Sequence, residues 1–176
     1  MVEAERLLIR SWLAKAESDL AAARKLAAGS DPCLDAAIYH CQQAAEKAVK
    51  GFLTFHHQEV VKTHDVRYLC KLAVSFNKDF STWFEAAELV TPYATLYRYP
   101  GEDLEPEQEE FDQALTAAEG LCSFVLSVLP EEVHPDKSHR QSQDKRNSAT
   151  AVESAVISAE ADPPPNVPPE SSTTDS

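Results

Sequence analysis

The chain has 176 residues, with 16 Lys and Arg against 29 Asp and Glu, and a formal net charge of −13. Because such a charge repels a phosphate backbone, we expect no general DNA binding, although a local basic site is still compatible with it. No apolar run is long enough for a membrane-spanning helix, and the charged N-terminus lacks the apolar core of a signal peptide. The four widely spaced cysteines favour a reducing, cytoplasmic location over a disulfide frame.

The composition of the chain changes after Pro130. Residues 131–176 contain six prolines and many Ser and Thr but no aromatic residue. Such a segment cannot bury enough apolar surface to offset the entropy cost of ordering its backbone. We therefore predict a folded domain over residues 1–130 and a disordered tail over residues 131–176.

The predicted domain is rich in Ala, Leu, Glu and Lys and has few glycines, a composition that favours helix. Its apolar residues recur every three or four positions, and turn residues separate the periodic segments. The predicted helices lie at about 5–28, 32–55, 63–76, 80–97 and 106–129. Because the connections are short, we predict an all-α, up-and-down bundle of four to five helices. No segment has a convincing strand pattern.

Single residues should shape two of these helices. Thr63 is the expected N-cap of the third helix, whose first turn would then contain His64 and Asp65. Pro92 lies inside the fourth helix, where its ring should kink or restart the helix. Pro100 should end that helix.

The second predicted helix has two unlike sides. The apolar arc consists of Ala37, Cys41, Ala44, Ala45, Ala48 and Phe52. The polar arc consists of Tyr39, His40, Gln43, Glu46, Lys47 and Lys50. The small side chains of the apolar arc allow another helix to approach closely. The polar arc is either a solvent-facing surface or a binding surface, and both interpretations stand at this point.

Metal or cofactor chemistry is not expected from this sequence. His56, His57 and His64 lie in or beside a loop that has no Cys or carboxylate at ligand spacing. The seven acidic residues within 101–112 suit a solvated loop and an acidic first helical turn better than a magnesium site. The sequence motifs of phosphate-binding loops and of common hydrolases are absent.

Two short segments favour a binding function. One is KTHDV (62–66), which places a His–Asp pair at a predicted helix start, beside unpaired backbone N–H groups. The other is LYRYPG (96–101), in which Arg98 stands at a predicted helix end. Its planar guanidinium could bond the last helical carbonyl groups. It could also bind a phosphate or carboxylate, with Tyr97 or Tyr99 as a stacking wall.

Three segments together resemble a known family. They are YHCQQAAEKAVKGFL (39–53), KTHDVRYL (62–69) and YRYPGED (97–103). In this order and at these separations they resemble the HEPN domain family, whose name stands for higher eukaryotes and prokaryotes nucleotide-binding. The resemblance covers about residues 6–129 and implies a bundle of four or five helices that forms a homodimer. The alanine-rich apolar arc also favours a homodimer.

The resemblance implies one of two roles. Many members are metal-independent ribonucleases, often toxins, that use an Arg followed after four to six residues by a His at the dimer cleft. Others lack this pair and act as nucleotide-binding or accessory partners of a small nucleotidyltransferase. Counting from Arg98, the His should stand at 103–105, where this chain has Asp103, Leu104 and Glu105. Since RNA cleavage needs a group that exchanges a proton near neutral pH, the ribonuclease role is weakened.

We therefore expect a nucleotide-binding domain or an accessory partner of a nucleotidyltransferase, as in a toxin–antitoxin module. The expected nucleotide-binding residues are Arg98, Tyr99, His64, Asp65, Lys47 and Lys50. One alternative is a metal-independent ribonuclease toxin that uses Arg98 with His64. The other is a purely structural interaction module that recruits partners through the acidic loop 102–110 and the tail.

Overall fold

The structure, a computed structural model, describes residues 2–59, 61–98 and 105–135. These residues form five α-helices and no strand, which confirms the predicted all-α bundle. The helices are α1 (Glu3–Leu26), α2 (Leu34–Phe55), α3 (Val66–Ala73), α4 (Phe84–Val90) and α5 (Gln108–Val128). Three 3-10 turns occur at Lys78–Trp83, Thr91–Ala94 and Glu131–Val133. None of the described helices combines the length and apolar character needed to cross a lipid bilayer.

α2 is the central helix of the bundle. Each residue of its apolar arc is at most 1% exposed, and both α1 and α5 pack against α2. Gly51 shows how closely α1 approaches, because a Cβ added there would lie 3.2 Å from Cδ2 of Leu13 and 3.3 Å from Cβ of Trp12. The apolar arc is therefore covered by helices of the same chain.

The connection between α2 and α3 runs back along α2. It turns at His57, whose φ of 57° lies in the left-handed region. Further along, Lys50 Nζ donates to the carbonyl of Thr63 at 3.0 Å, and Gln42 Nε2 donates to the carbonyl of His64 at 2.9 Å. α3 therefore begins beside the middle of α2, next to the polar arc.

The N-cap of α3 is Asp65, and the prediction of Thr63 is wrong. The Asp65 carboxylate accepts a hydrogen bond from the Tyr68 N–H at 2.8 Å. The Thr63 hydroxyl instead accepts from the N–H of Asp65 at 3.1 Å, two residues along the chain. Because Asp is at least as good an N-cap as Thr, the helix begins at Val66. His64 consequently lies in the connection rather than in the first helical turn.

The segment predicted as one fourth helix is divided into three pieces. The first 3-10 turn, Lys78–Trp83, leads into α4, and the second, Thr91–Ala94, contains Pro92. Proline lacks an N–H group and clashes with the preceding turn, so the helix restarts there in 3-10 form, as predicted. Regular structure ends at Ala94. Arg98 therefore lies beyond the end of the last 3-10 turn, instead of at a helix end near Tyr97 as predicted.

The packed part of the chain continues past Pro130. The compact unit extends to Pro135, and within it Val133 is fully buried. Arg10 of α1 donates from Nε to the carbonyl of Glu132 at 3.0 Å. These contacts place the end of the folded part a few residues beyond the predicted boundary. Residues 136–176, most of the predicted tail, lie outside the described residues.

The contact between Gly120 and Trp83 allows a test of how α5 packs against the turn before α4. A Cβ on Gly120 would lie 2.8 Å from Cζ3 of the Trp83 ring, which is closer than carbon atoms tolerate. The ring is also stacked on Phe124, at 5.5 Å between ring centres. We predict that Gly120→Val lowers the free energy of unfolding by about 1–3 kcal/mol, because the ring has to move. Urea unfolding measures this change.

A double-mutant cycle separates this contact from the change in helix propensity. Trp83→Leu removes the indole ring, so Gly120→Val should cost clearly less in the Trp83→Leu background. An equal loss of stability in both backgrounds would show that the ring contact is not the cause.

Candidate functional site

A buried carboxylate organises the polar arc of α2. Glu46 is 5% exposed, and its two oxygens accept from Lys50 Nζ at 2.7 Å and from Gln42 Nε2 at 2.9 Å. Nδ1 of His64 lies 3.1 Å from the oxygen that Gln42 contacts. We call Gln42, Glu46, Lys50 and His64 the Glu46 group. A charge removed from water needs partners of this kind, and here both carboxylate oxygens have them.

The Glu46 group lowers the pKa of the Glu46 carboxyl. Burial alone would raise this pKa, but the hydrogen bonds from Lys50, Gln42 and His64, together with the charge of Lys50, outweigh the effect of burial. Glu46 is therefore negatively charged at neutral pH. The side chains of its ion pair with Lys50 are only 6% and 8% exposed, so the pair is almost closed to solvent.

A second polar contact joins α1 to the polar arc. Asp19 of α1 is buried, and its carboxylate pairs with Nζ of Lys47 and lies 2.9 Å from Nδ1 of His40. Most charged side chains of the polar arc therefore have a partner inside the chain. The arc is neither a plain solvent-facing surface nor an open binding surface along its whole length.

Arg98 lies at one end of the polar arc. Its guanidinium carbon is 4.2 Å from the centre of the Tyr39 ring, which is a close cation–π contact. Arg98 is exposed, and it pairs with no carboxylate within the described part of the chain. Stacking uses the face of the guanidinium, so the N–H groups at its edge are available to an acceptor with two oxygens, such as a phosphate or carboxylate.

The ring that stacks on Arg98 is Tyr39. The sequence had suggested Tyr97 or Tyr99 for this role. The Tyr97 hydroxyl lies 2.9 Å from both carboxylate oxygens of Glu110. Burial, followed by the hydrogen bond and charge of Glu110, raises the pKa of Tyr97 to about 12. Tyr97 is therefore a neutral donor that anchors the chain just before Arg98. Tyr99 lies outside the described residues.

The three histidines considered for a metal site have separate partners. His56 stacks on Phe76 with 4.5 Å between ring centres, and burial followed by the charge of His57 lowers the pKa of His56. His57 pairs with Glu5 at 2.5 Å, whereas His64 belongs to the Glu46 group. Across residues 2–59, 61–98 and 105–135, no three metal-ligating side chains lie together.

The structure brings together some of the predicted site residues. His64 and Lys50 meet on the same carboxylate. Asp65 caps α3 and Lys47 pairs with α1, so both already have intramolecular roles. Arg98 contacts the other end of the polar arc. Arg98 contacts Tyr39, whereas His64 contacts Glu46. These two α2 residues are seven positions apart, or about 10 Å along the helix axis.

Gln42, Glu46 and Tyr39 belong to the site although they are not among the predicted nucleotide-binding residues. Gln42, Glu46 and Lys50 stand at i, i+4 and i+8, a spacing that predicts a row of interacting side chains on one helix face. That signal was available. The stacking of Arg98 on Tyr39 had no local signal, because the two residues are far apart in the sequence.

The fold and the site together define a small helical domain whose polar site lies along its central helix. The sequence profile of the HEPN domain matches residues 9–129. The chain therefore belongs to the HEPN domain family.

Two crystal structures are similar to this chain over most of their own length. ST0689, an archaeal HEPN homologue, is 26% identical with a TM-score of 0.54, covering 68% of this chain and 95% of that chain. TT1696 from Thermus thermophilus is 29% identical with a TM-score of 0.57, covering 69% of this chain and 98% of that chain. No curated protein matches the chain significantly.

The Glu46 group leads to a prediction about the pH dependence of stability. The pKa of Glu46 is lower in the folded chain than its ordinary value of 4.5, so the carboxylate stabilises the fold at pH values above 4.5. This contribution is lost as the pH falls from 4.5 through the folded-state pKa. We expect the free energy of unfolding, measured in urea between about pH 3 and pH 6, to fall in that window.

The double variant Glu46→Gln/Lys50→Met should flatten this fall. It removes both charges together, so that no unpaired charge is left buried. Glu109→Gln is the control, because Glu109 is exposed on α5 and should leave the fall unchanged. An unchanged fall in the double variant would assign it to other carboxylates.

Proposed function

We propose that this HEPN domain binds the phosphate groups of a nucleotide with Arg98 and acts as an accessory partner of a nucleotidyltransferase-fold protein. The observation that carries the proposal is the exposed guanidinium of Arg98, stacked on Tyr39 at 4.2 Å. It meets no carboxylate among the residues described. An arginine in this state is a strong bidentate donor to phosphate.

The surroundings of Arg98 support this proposal. Stacking on Tyr39 restricts the rotamers of the long side chain, so less entropy is lost when a ligand binds. The hydrogen bonds between Tyr97 and Glu110 limit movement of the chain one residue earlier. In an acidic protein, a fixed cation that has no carboxylate partner in the described part of the chain concentrates the attraction for an anion at one position.

The other proposed nucleotide-binding residues contribute less to binding than Arg98 does. The side chain of His64 is 70% exposed, so its ring can contact a nucleotide while Nδ1 stays beside Glu46. Lys47 and Lys50 contact a phosphate only in competition with the carboxylates of Asp19 and Glu46. We therefore place the main phosphate contact at Arg98 and treat the two lysines as secondary.

The partner role is proposed because the ribonuclease pair is missing. Positions 103–105 contain no His, so a HEPN domain of this kind fits the accessory half of a toxin–antitoxin-like module. The partner in such a module would be a small nucleotidyltransferase encoded alongside. The four cysteines form no disulfide, which suits a cytoplasmic location.

A metal-independent ribonuclease is the second candidate. It is favoured by the two exposed side chains, Arg98 and His64, that lie along the same side of α2. In such an enzyme Arg98 would hold the phosphate while His64 exchanges a proton with the 2′-hydroxyl. Their contact points on α2 are about 10 Å apart, whereas catalytic groups must reach the same phosphate, so binding is favoured over cleavage.

Isothermal titration calorimetry with ATP, GTP and AMP tests nucleotide binding. We predict measurable binding by the wild type and an affinity about 10- to 150-fold lower for Arg98→Ala, because a charge-assisted contact contributes about 1.5–3 kcal/mol. Arg98→Lys keeps the charge but loses the planar fork and should bind with intermediate affinity.

Arg24→Ala is the matched control for the loss of one positive charge. Arg24 is also exposed, but it pairs with Glu119 at 2.7 Å and should not contribute to ligand binding. No heat with any of the three nucleotides would overturn the nucleotide part of the proposal. The accessory part would then depend on copurification with the nucleotidyltransferase. Unimpaired growth and intact RNA on expression would remove the ribonuclease candidate.

We also propose that the chain forms a homodimer. The apolar arc of α2 is not available for the interface, because it is buried within the chain. Another surface has to be used, and the start of α1 exposes the apolar side chains of Val2, Leu7 and Leu8. Light scattering at micromolar concentration should give a mass twice 19.4 kDa. A particle of 19.4 kDa would contradict the proposal.

A further inference from the structure

A shallow groove of about 540 Å³ lies between α4 and α5. Just before α4, Trp83 lies against Gly120 and fills the space between the two elements. Away from this contact the space opens over a floor of Ala86, Leu89 and Ala117. None of the residues that line the groove belongs to the Glu46 group or to the contacts of Arg98 described above.

Carboxylates surround the apolar floor. Glu85 on α4 and Glu109 and Asp112 on α5 are exposed, and none pairs with a cation within the described ranges. The side-chain amides of Gln108 and Gln113 donate to Asp112 and Glu109, but these neutral groups leave the negative charge uncompensated. The helix dipole accounts for Glu85 and Glu109, which lie in first turns. It does not account for Asp112 or for an open apolar floor.

We propose that this groove binds a basic amphipathic helix of a partner protein. A large apolar side chain of that helix would lie on the floor, where Ala86 and Ala117 leave room and the half-buried Leu89 provides contact. Lys or Arg residues on both flanks of the helix would face the rim, because one carboxylate stands on α4 and two stand on α5. The proposal does not depend on nucleotide binding at Arg98.

The charge pattern disfavours other occupants. A second copy of this chain carries a net charge of −13 and would be repelled by an acidic rim. A nucleotide or another anion is repelled for the same reason. A small apolar molecule would use the floor but leave the carboxylates without a role. A cationic amphipathic helix complements both parts of the groove.

Fluorescence anisotropy with the full chain tests the proposal. The probe is a labelled amphipathic Leu/Lys peptide of about 18 residues, which is long enough to cover the groove as a helix. We predict saturable binding that weakens with salt, and a loss of about tenfold in affinity for Glu85→Lys/Asp112→Lys, because attraction at the rim becomes repulsion. Leu89→Ser should weaken binding by a similar factor without any change in charge, since apolar contact is lost.

Glu59→Lys/Asp79→Lys is the matched control, because it makes the same change in net charge at exposed residues outside the groove. This variant and Arg98→Ala should bind the peptide as the wild type does. Three results would overturn the proposal: no binding, equal weakening by the two charge-reversal variants, or equal binding of a peptide with Ser in place of every Leu. The last two would show that the peptide responds only to the overall charge.

Discussion

The buried ion pair between Glu46 and Lys50 is the interaction on which the rest of the domain depends. Both charges are almost closed to solvent, so each needs further partners to offset the cost of leaving water. Glu46 finds one in His64, and Lys50 donates to the carbonyl of Thr63. Both partners belong to the connection that returns along α2. Satisfying a buried charge therefore fixes the course of a segment that has no regular structure of its own.

The hydrogen bonds of the Glu46 group also influence where Arg98 lies. Because the returning connection is held on α2, α3 begins beside the middle of that helix. The N–H of Val66, the first residue of α3, donates to the hydroxyl of Thr91 at 3.1 Å, which ties the start of α3 to the turn after α4. Arg98 follows a few residues later and contacts Tyr39 on α2. Arg98, which pairs with no carboxylate among the residues that the structure describes, is thus positioned by a buried carboxylate that it does not touch.

How far the sequence predicts this structure depends on the range of each interaction. Helical periodicity and proline are local signals, so a bundle of four to five helices and an irregularity at Pro92, either a kink or a restart, were predicted. Competition between neighbouring residues is harder to resolve, and Asp65 caps α3 although Thr63 was expected to. The stacking of Arg98 on Tyr39 depends on how distant segments pack, which no spacing in the sequence encodes. The Glu46 group was predictable only in part. The sequence shows the spacing of Gln42, Glu46 and Lys50 on one helix face, but it does not show that these side chains are buried.

Nuclear magnetic resonance of the Arg98 Nε–H group during a titration with ATP tests the proposed anion site most directly. We predict a saturable shift of this signal together with signals of the His64 ring, and no shift for Arg24, which is already paired with Glu119. The shift should need more ATP in Tyr39→Leu, because the guanidinium is then no longer held in place. An Arg98 signal that stays constant while signals elsewhere in the chain move would contradict the assignment of the site.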